Sequence, residues 1–260
     1  VSTGDSRKRG RDRLILAVLG SGNSFISSRR FHSSFLITNG KTRLVVDCGP
    51  TTLHGLARIG VKPSQVNCVL ETHFHGDHML GLPLLLLNNQ YIQAPSGGLT
   101  VIGPAGLPEL VMGIYGAIYA ESARRLSTSE SDLVHWKTAR HGQVLALPDG
   151  MGTVRAFRMD HNPESLGYRI EVNGKVLSFT GDTRWNDHLQ ELANGADILA
   201  IDCTTIETPA GAHLTYREIC EHRAELSAGM ILLTHLGQTL DSRALSEGFI
   251  QAKDGLKIEV

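Results

Sequence analysis

The stretch Thr72-His73-Phe74-His75-Gly76-Asp77-His78 places three histidines and an aspartate within six positions, directly after an apolar run over 66–72. At a strand end, residues two apart point to the same side, so His73 and His75 present two imidazoles to one ion. Gly76 permits a sharp turn. Asp77 and His78, at the start of the apolar helix expected over 79–87, then face a second ion close by. Four ligating side chains in so short a span make poor core filling, because buried polar groups need partners. Imidazole combined with carboxylate suits zinc, with manganese and iron as alternatives, better than an ion selected by thiolates.

Two ions need more ligands than one motif supplies, and polar clusters follow strand after strand. Met159-Asp160-His161 precedes Ser165-x-Gly167-Tyr168; Phe179-Thr180-Gly181-Asp182 runs into a Gly-Asp turn suited to a bridging carboxylate; Leu233-Thr234-His235 ends a late strand. Apolar patterning predicts strands over 13–19, 34–38, 42–46, 66–72, 99–102, 154–159, 166–172, 176–179, 198–203 and 230–234. Helices are expected over 51–59, 79–87, 107–123, 186–193 and 216–227. Such an α/β alternation, with polar residues after successive strands, is the arrangement of strand ends converging on one site.

The rest of the chain sets bounds. Its 260 residues suit one domain over 14–260. The longest apolar run, 82–87, is interrupted by a proline and falls far short of the roughly 20 residues that cross a bilayer. Twenty-five basic against 26 acidic residues leave a net charge of −1, which argues against a nucleic-acid partner held by general electrostatics. Arg7, Lys8, Arg9, Arg11 and Arg13 against Asp5 and Asp12 make 1–13 a flexible basic arm, and the remainder carries 20 − 24 = −4. That arm and the apolar 14–19 imitate a secretory leader, but the run enters Gly20-Ser21-Gly22 without a small-x-small cleavage pattern, so it reads as a first strand. Four cysteines (Cys48, Cys68, Cys203, Cys220) without C-x-x-C spacing suit a reducing, cytoplasmic setting. Residues 105–135 differ in texture and suggest a lid or insert, in which Met112, Tyr115 and Tyr119 share a helical face that serves either a substrate's apolar part or the core. His32, His54, His135, His141, His188 and His222 take structural readings.

The order H-x-H-x-D-H, His161, Thr180-Gly181-Asp182 and Thr234-His235, together with Leu19-Gly20-Ser21-Gly22 and Val46-Asp47-Cys48-Gly49, resembles the metallo-β-lactamase fold superfamily of binuclear metallohydrolases. The resemblance implies a four-layer αββα sandwich with the metals at one edge between the sheets. It implies His73, His75 and His161 on one ion, Asp77, His78 and His235 on the other, and Asp182 bridging. Asp47 matches an acid near the site that is usually not a ligand.

The stretch Ile201-Asp202-Cys203-Thr204 to Gly211-Ala212-His213-Leu214-Thr215 is similar to the acid-plus-histidine motif of the tRNase Z and cyclic-phosphate phosphodiesterase branch. By that likeness His213 is a catalytic acid oriented by Asp202, and Asp77 orients the nucleophile as well as ligating. Two features depart from the branch. Only 20 residues separate His161 from Asp182, leaving no room for the tRNA-gripping arm, and Gly22-Asn23-Ser24-Phe25 lacks the cysteines of the phosphonate-pathway enzymes. The expectation is therefore a phosphodiesterase with two divalent ions acting on a small, cyclic nucleotide or cyclic phosphate substrate through a metal-bridging hydroxide, and forming a homodimer as relatives commonly do. The alternatives are a lactonase, β-lactamase-type or sulfatase hydrolase of the same fold, or an arm-less RNA 3′-processing endonuclease.

Overall fold

Leu16 and Val18 of the first strand, β1 (Ile15–Gly20), point one way and Ala17 and Leu19 the other, and all four are buried. A strand covered on both faces lies in the middle of a layered molecule. The computed structural model describes residues 13–128, 133–237 and 248–260. In it β1 is followed by β2 (Ser34–Thr38), β3 (Arg43–Val46), β4 (Cys68–Leu70), β5 (Leu99–Gly103) and β6 (Val134–Thr138) in a first sheet. A second sheet takes β7 (Val144–Ala146), β8 (Thr153–Arg158), β9 (Leu166–Val172), β10 (Lys175–Phe179), β11 (Ile198–Asp202), β12 (Met230–Thr234) and β13 (Phe249–Gln251). The last strand, β14 (Lys257–Glu259), returns to pair with β1, so the first sheet runs β14-β1-β2-β3-β4-β5-β6 and the second β13-β12-β11-β10-β9-β8-β7.

Three apolar clusters define four layers. Leu16, Val18, Ile37, Leu44 and Leu70 of the first sheet pack on Val154, Ile170, Leu177, Phe179 and Leu232 of the second. The opposite face of the first sheet, through Ala17, Leu36, Val45, Val69 and Val101, is covered by helices α1 (Thr52–Arg58), α3 (Leu82–Tyr91) and α4 (Leu107–Ile118). Phe157, Leu199, Ile201, Ile231 and Leu233 on the far face of the second sheet meet α6 (His188–Ala193) and α7 (Tyr216–Glu221). The two remaining helices are the single turn α2 (Gly76–Met79) and α5 (Ala120–Thr128). The αββα sandwich follows from strands buried on both faces, one face against the other sheet and one against helices.

Several boundaries differ from the sequence reading. Of the helix expected over 79–87, Met79 falls in the preceding turn α2 and α3 begins at Leu82 with Pro83 in its first turn; Gly81 between them lies against the backbone of Cys48 and Gly49, an approach a side chain would block. The helix expected over 107–123 breaks at Tyr119 into α4 and α5. Tyr115, weighed above as a substrate contact, is wholly buried and donates its hydroxyl to Gln90 at 2.6 Å, so it belongs to the core. The strands β6, β7, β13 and β14 were not foreseen. Positions 1–12 of the basic arm, and 129–132 within the Ser/Thr/Glu-rich stretch, lie outside the described residues. Arg13 is exposed and pairs with Glu259. Among the described residues no helix is long and apolar enough to cross a membrane.

Candidate metal centre

Strand ends deliver the polar side chains. The chain leaving β4 carries Thr72 to His75 to the rim, and α2 turns Asp77 and His78 toward the same space. His161 follows β8, Asp182 follows β10, Asp202 closes β11, and His235 comes directly after β12. Gly181 has φ +61°, and a Cβ there would stand 2.8 Å from the Thr72 Cβ, so glycine is required for the turn that presents Asp182. Asp47 (φ 60°) and His235 (φ 55°) also adopt left-handed backbone, an uncommon conformation for residues with side chains that concentrates at functional sites.

The ligating atoms of His73, His75, His161 and Asp182 lie within 4.8 Å of one another, and so do those of Asp77, His78, Asp182 and His235. Asp182 belongs to both groups, and to a third that it forms with Asp202, His213 and His235. Its Oδ2 stands 3.6 Å from His73 Nε2, 3.3 Å from His78 Nε2, 3.4 Å from His235 Nε2 and 3.9 Å from His161 Nε2. Asp77 Oδ2 lies 3.3 Å from His78 Nε2 and 3.4 Å from His235 Nε2. The seven residues expected to ligate are thus gathered in one place.

Hydrogen bonds at the back of the rings decide which nitrogen faces inward. Thr72 Oγ1 donates to Asp47 Oδ2 and accepts from His73 Nδ1 at 3.0 Å. Thr204 Oγ1 donates to Asp202 Oδ1 and accepts from His235 Nδ1 at 2.8 Å. His78 Nδ1 donates to Asp47 Oδ2 at 2.8 Å, and His161 Nδ1 donates to the Ala212 carbonyl at 2.9 Å. Each of these four rings therefore turns an unprotonated Nε2 toward Asp182 when neutral. His73 Nε2, His78 Nε2 and Asp182 Oδ1 are buried without a hydrogen-bond partner. Orphaned polar atoms normally cost about 1–3 kcal/mol each, and here they converge on one space. This donor set fits a pair of borderline cations such as zinc.

The protein's own charges compete for that space. Burial pushes His73 well below the ordinary imidazole range. Burial also works against the charged forms of His78 and His235, but Asp182 outweighs it, with Asp47 assisting at His78 and Asp202 at His235. His78 is raised well above its usual value and His235 to about 10. Burial would raise the carboxyls, yet bonds to His235 and His78 hold Asp77 low, and the charges of the same two rings hold Asp182 low.

Beside the two groups stands His213. Its Nδ1 is 2.9 Å from Asp202 Oδ2, and its ring lies 4.9 Å from both His235 and His161. Asp202 is fully buried and also accepts from the Thr183 backbone N–H. Burial lowers the His213 pKa, but the bond to Asp202 more than compensates and leaves it raised. Beyond His161, a cavity of about 440 Å³ is lined by Arg158, Asp160, Asn162, Asn186 and His188 among others.

The family profile described as "Anti-Pycsar protein Apyc1" matches residues 14–254, nearly the whole chain. The chain belongs to the Apyc1 family. As a member of that family it is a metal-dependent hydrolase of the metallo-β-lactamase fold. Similar curated proteins include the ribonuclease Z of Listeria monocytogenes, 27% identical over 297 residues (92% of this chain, 93% of that one), and that of Mycobacterium bovis, 29% identical over 241 residues (85% of each). The Listeria alignment is longer than this chain, so part of that enzyme has no counterpart in the Apyc1-family protein. Among solved structures, the metallo-β-lactamase fold protein YhfI from Bacillus subtilis superposes with a TM-score of 0.77 at 21% identity, covering 96% of this chain and 100% of its own. The human short-form tRNase Z gives 0.76 at 21%, covering 94% and 98%. A diphosphatase of the PhnP family gives 0.77 at 21%, covering 95% and 98%.

Two threonines of this Apyc1-family site were not singled out in the sequence. Thr72 and Thr204 sit in quoted motifs, but only the ring geometry shows what their hydroxyls do. His32, read as structural, is buried with Nδ1 3.3 Å from Thr51 Oγ1 and lies close enough to Asp77, His78 and His235 to feel their charges. Asp47 stands outside both ligand groups, behind His73 and His78.

Proposed function

We propose that this protein is a phosphodiesterase that hydrolyses a small cyclic nucleotide or cyclic phosphate. The observation that carries the reading is the Asp202–His213 pair beside a carboxylate shared by two ligand groups. A phosphodiester needs a proton for its leaving oxygen, whereas a strained lactone or β-lactam places less demand on one. Membership of the Apyc1 family supports cyclic nucleotides as the substrate class. The β9–β10 hairpin fills most of the interval from His161 to Asp182, which leaves no place there for a tRNA-gripping arm.

His73, His75 and His161 would hold one divalent ion, Asp77, His78 and His235 the other, and Asp182 both, with zinc favoured over manganese or iron. Such a pair, when bound, supplies an activated water and neutralises phosphate oxygens as charge builds. The protein's own groups do the rest. Asp202 accepts a hydrogen bond from His213 Nδ1–H, so that in the charged ring the second, transferable proton sits on Nε2 for the leaving oxygen. The bond to Asp202 raises the His213 pKa and so favours the charged ring, which stacks on His235 and lies tilted against His161 at the rim. Asp77, beyond ligating, would orient the nucleophile. The cavity beyond His161 gives the nucleoside room.

Parallel assays on 3′,5′-cyclic nucleotides, bis-p-nitrophenyl phosphate, a tRNA precursor, an acyl lactone, a sulfate ester and nitrocefin test the reading. Cyclic nucleotide turnover well above the others is expected. Efficient, salt-sensitive cleavage of the tRNA precursor would instead favour the activity for which the ribonuclease Z relatives are named. His213→Ala should retain its metals and lose about 10²–10⁴ in turnover of cyclic nucleotides, with a smaller loss on p-nitrophenyl esters, whose leaving group needs no proton. Equal losses on both would remove His213 from the acid role.

A further inference from the structure

Of the five imidazoles in the two ligand groups, His75 alone is turned round. The other four present Nε2 and anchor Nδ1, whereas His75 brings its Nδ1 to 3.1 Å from His161 Nε2 and leaves its Nε2 3.1 Å from the atom placed as Nδ2 of the Asn162 amide. A neutral imidazole carries one proton. If Nδ1 lends its lone pair to a cation, the proton sits on Nε2, and that nitrogen becomes a donor in need of an acceptor. Asn162 must then meet it with its oxygen, because its NH2 end would set donor against donor. The two ends of an amide have nearly the same shape, so the hydrogen-bond network rather than steric fit selects between them.

We infer that Asn162 is the positioning residue for His75, with Oδ1 accepting the Nε2–H and so holding Nδ1 toward the first ion. This inference rests on the two-ion reading given above. The backbone of Asn162 is itself fixed. Its N–H donates to Ser165 Oγ, its carbonyl accepts from the Ser165 N–H, and the Ser165 carbonyl accepts from Met159, with Ser165 buried. A single turn after β8 therefore supplies one ligand, His161, and orients another, His75, which arrives from the opposite sheet. His75 is also the exposed member of its group. Water reaches it most easily, so a fixed acceptor has most to contribute there. The rings of His73 and His161 meet it edge-on, and His161 Nε2 faces His75 Nδ1, the atom a cation would take, which leaves Nε2 to Asn162.

The test is zinc affinity, read by competition with a chromophoric chelator and by metal content after desalting. Wild-type protein is expected to hold two ions; if it holds none, the two-ion reading fails and this inference with it. If it holds two, Asn162→Ala should weaken one by about 10–100-fold and leave the other unchanged. Asn162→Asp, which keeps an acceptor, should restore most of that loss. In a His75→Ala background, Asn162→Ala should cost nothing more. Wild-type affinity at both sites in Asn162→Ala, or an undiminished loss in the His75→Ala background, would overturn the assignment while leaving the two-ion reading intact. So would a fall in the melting temperature of the chelated variant large enough to account for the weakening.

Discussion

Asp47 on the first sheet and Asp202 on the second do the same work at the scale of single residues. Each orients one histidine directly, His78 or His213, and a second through a threonine hydroxyl, His73 through Thr72 or His235 through Thr204. The fixed rings gather charge as well as direction. His235 has its pKa raised to about 10, and His78 moves the same way. Their protonated forms stabilise the chelated fold fully below the unfolded value near 6.5, and that contribution is lost as pH rises through the folded value. Chelated protein should therefore melt at a lower temperature at pH 9 than at pH 6.5. Ion binding must displace the same protons, so zinc loading at pH 7 should release about one to two protons per chain. Titration calorimetry in buffers of different ionisation enthalpy measures that release, and an observed value of zero would show that these rings are not the ligands.

At the scale of elements, β10 carries Phe179 into the layer between the sheets, three residues before Asp182. Phe179 packs on Phe35 with ring centroids 5.2 Å apart. Phe179→Ala should cost about 3–5 kcal/mol by denaturant melts and should loosen zinc as well, because the strand end presents the shared carboxylate. A stability loss with unchanged zinc affinity would uncouple the two. The gathering of His73, His75, Asp77, His78, His161, Asp182 and His235 was legible in the sequence because side-chain type and strand-end position coincide at each. Asp202 and His213 were legible only by resemblance. Thr72, Thr204 and Asn162 were not, since hydroxyls and amides follow strands everywhere and their roles depend on which ring nitrogen they meet. The strand β14 escaped notice because its three residues alternate between exposed and half-buried, and only its pairing with β1, far away in the chain, makes it a strand.

For the whole molecule, the layered core accounts for the burial of large apolar residues with local exceptions. Tyr91 and Ile92 at the end of α3 and Ile118 at the end of α4 remain 52%, 79% and 61% exposed. Exposed apolar residues on neighbouring helices suit contact with a second copy. Light scattering should give twice the 28.2 kDa chain mass, and Ile92→Asp with Ile118→Asp should shift it toward one. A monomeric wild type would assign those residues another role. Two cations sharing Asp182 are what the proposed hydrolysis requires above all, and anomalous diffraction from zinc-loaded crystals tests for them most directly. Two peaks are expected, one against His73, His75 and His161, the other against Asp77, His78 and His235, with Asp182 touching both. A single peak, or zinc located away from Asp182, would contradict that arrangement.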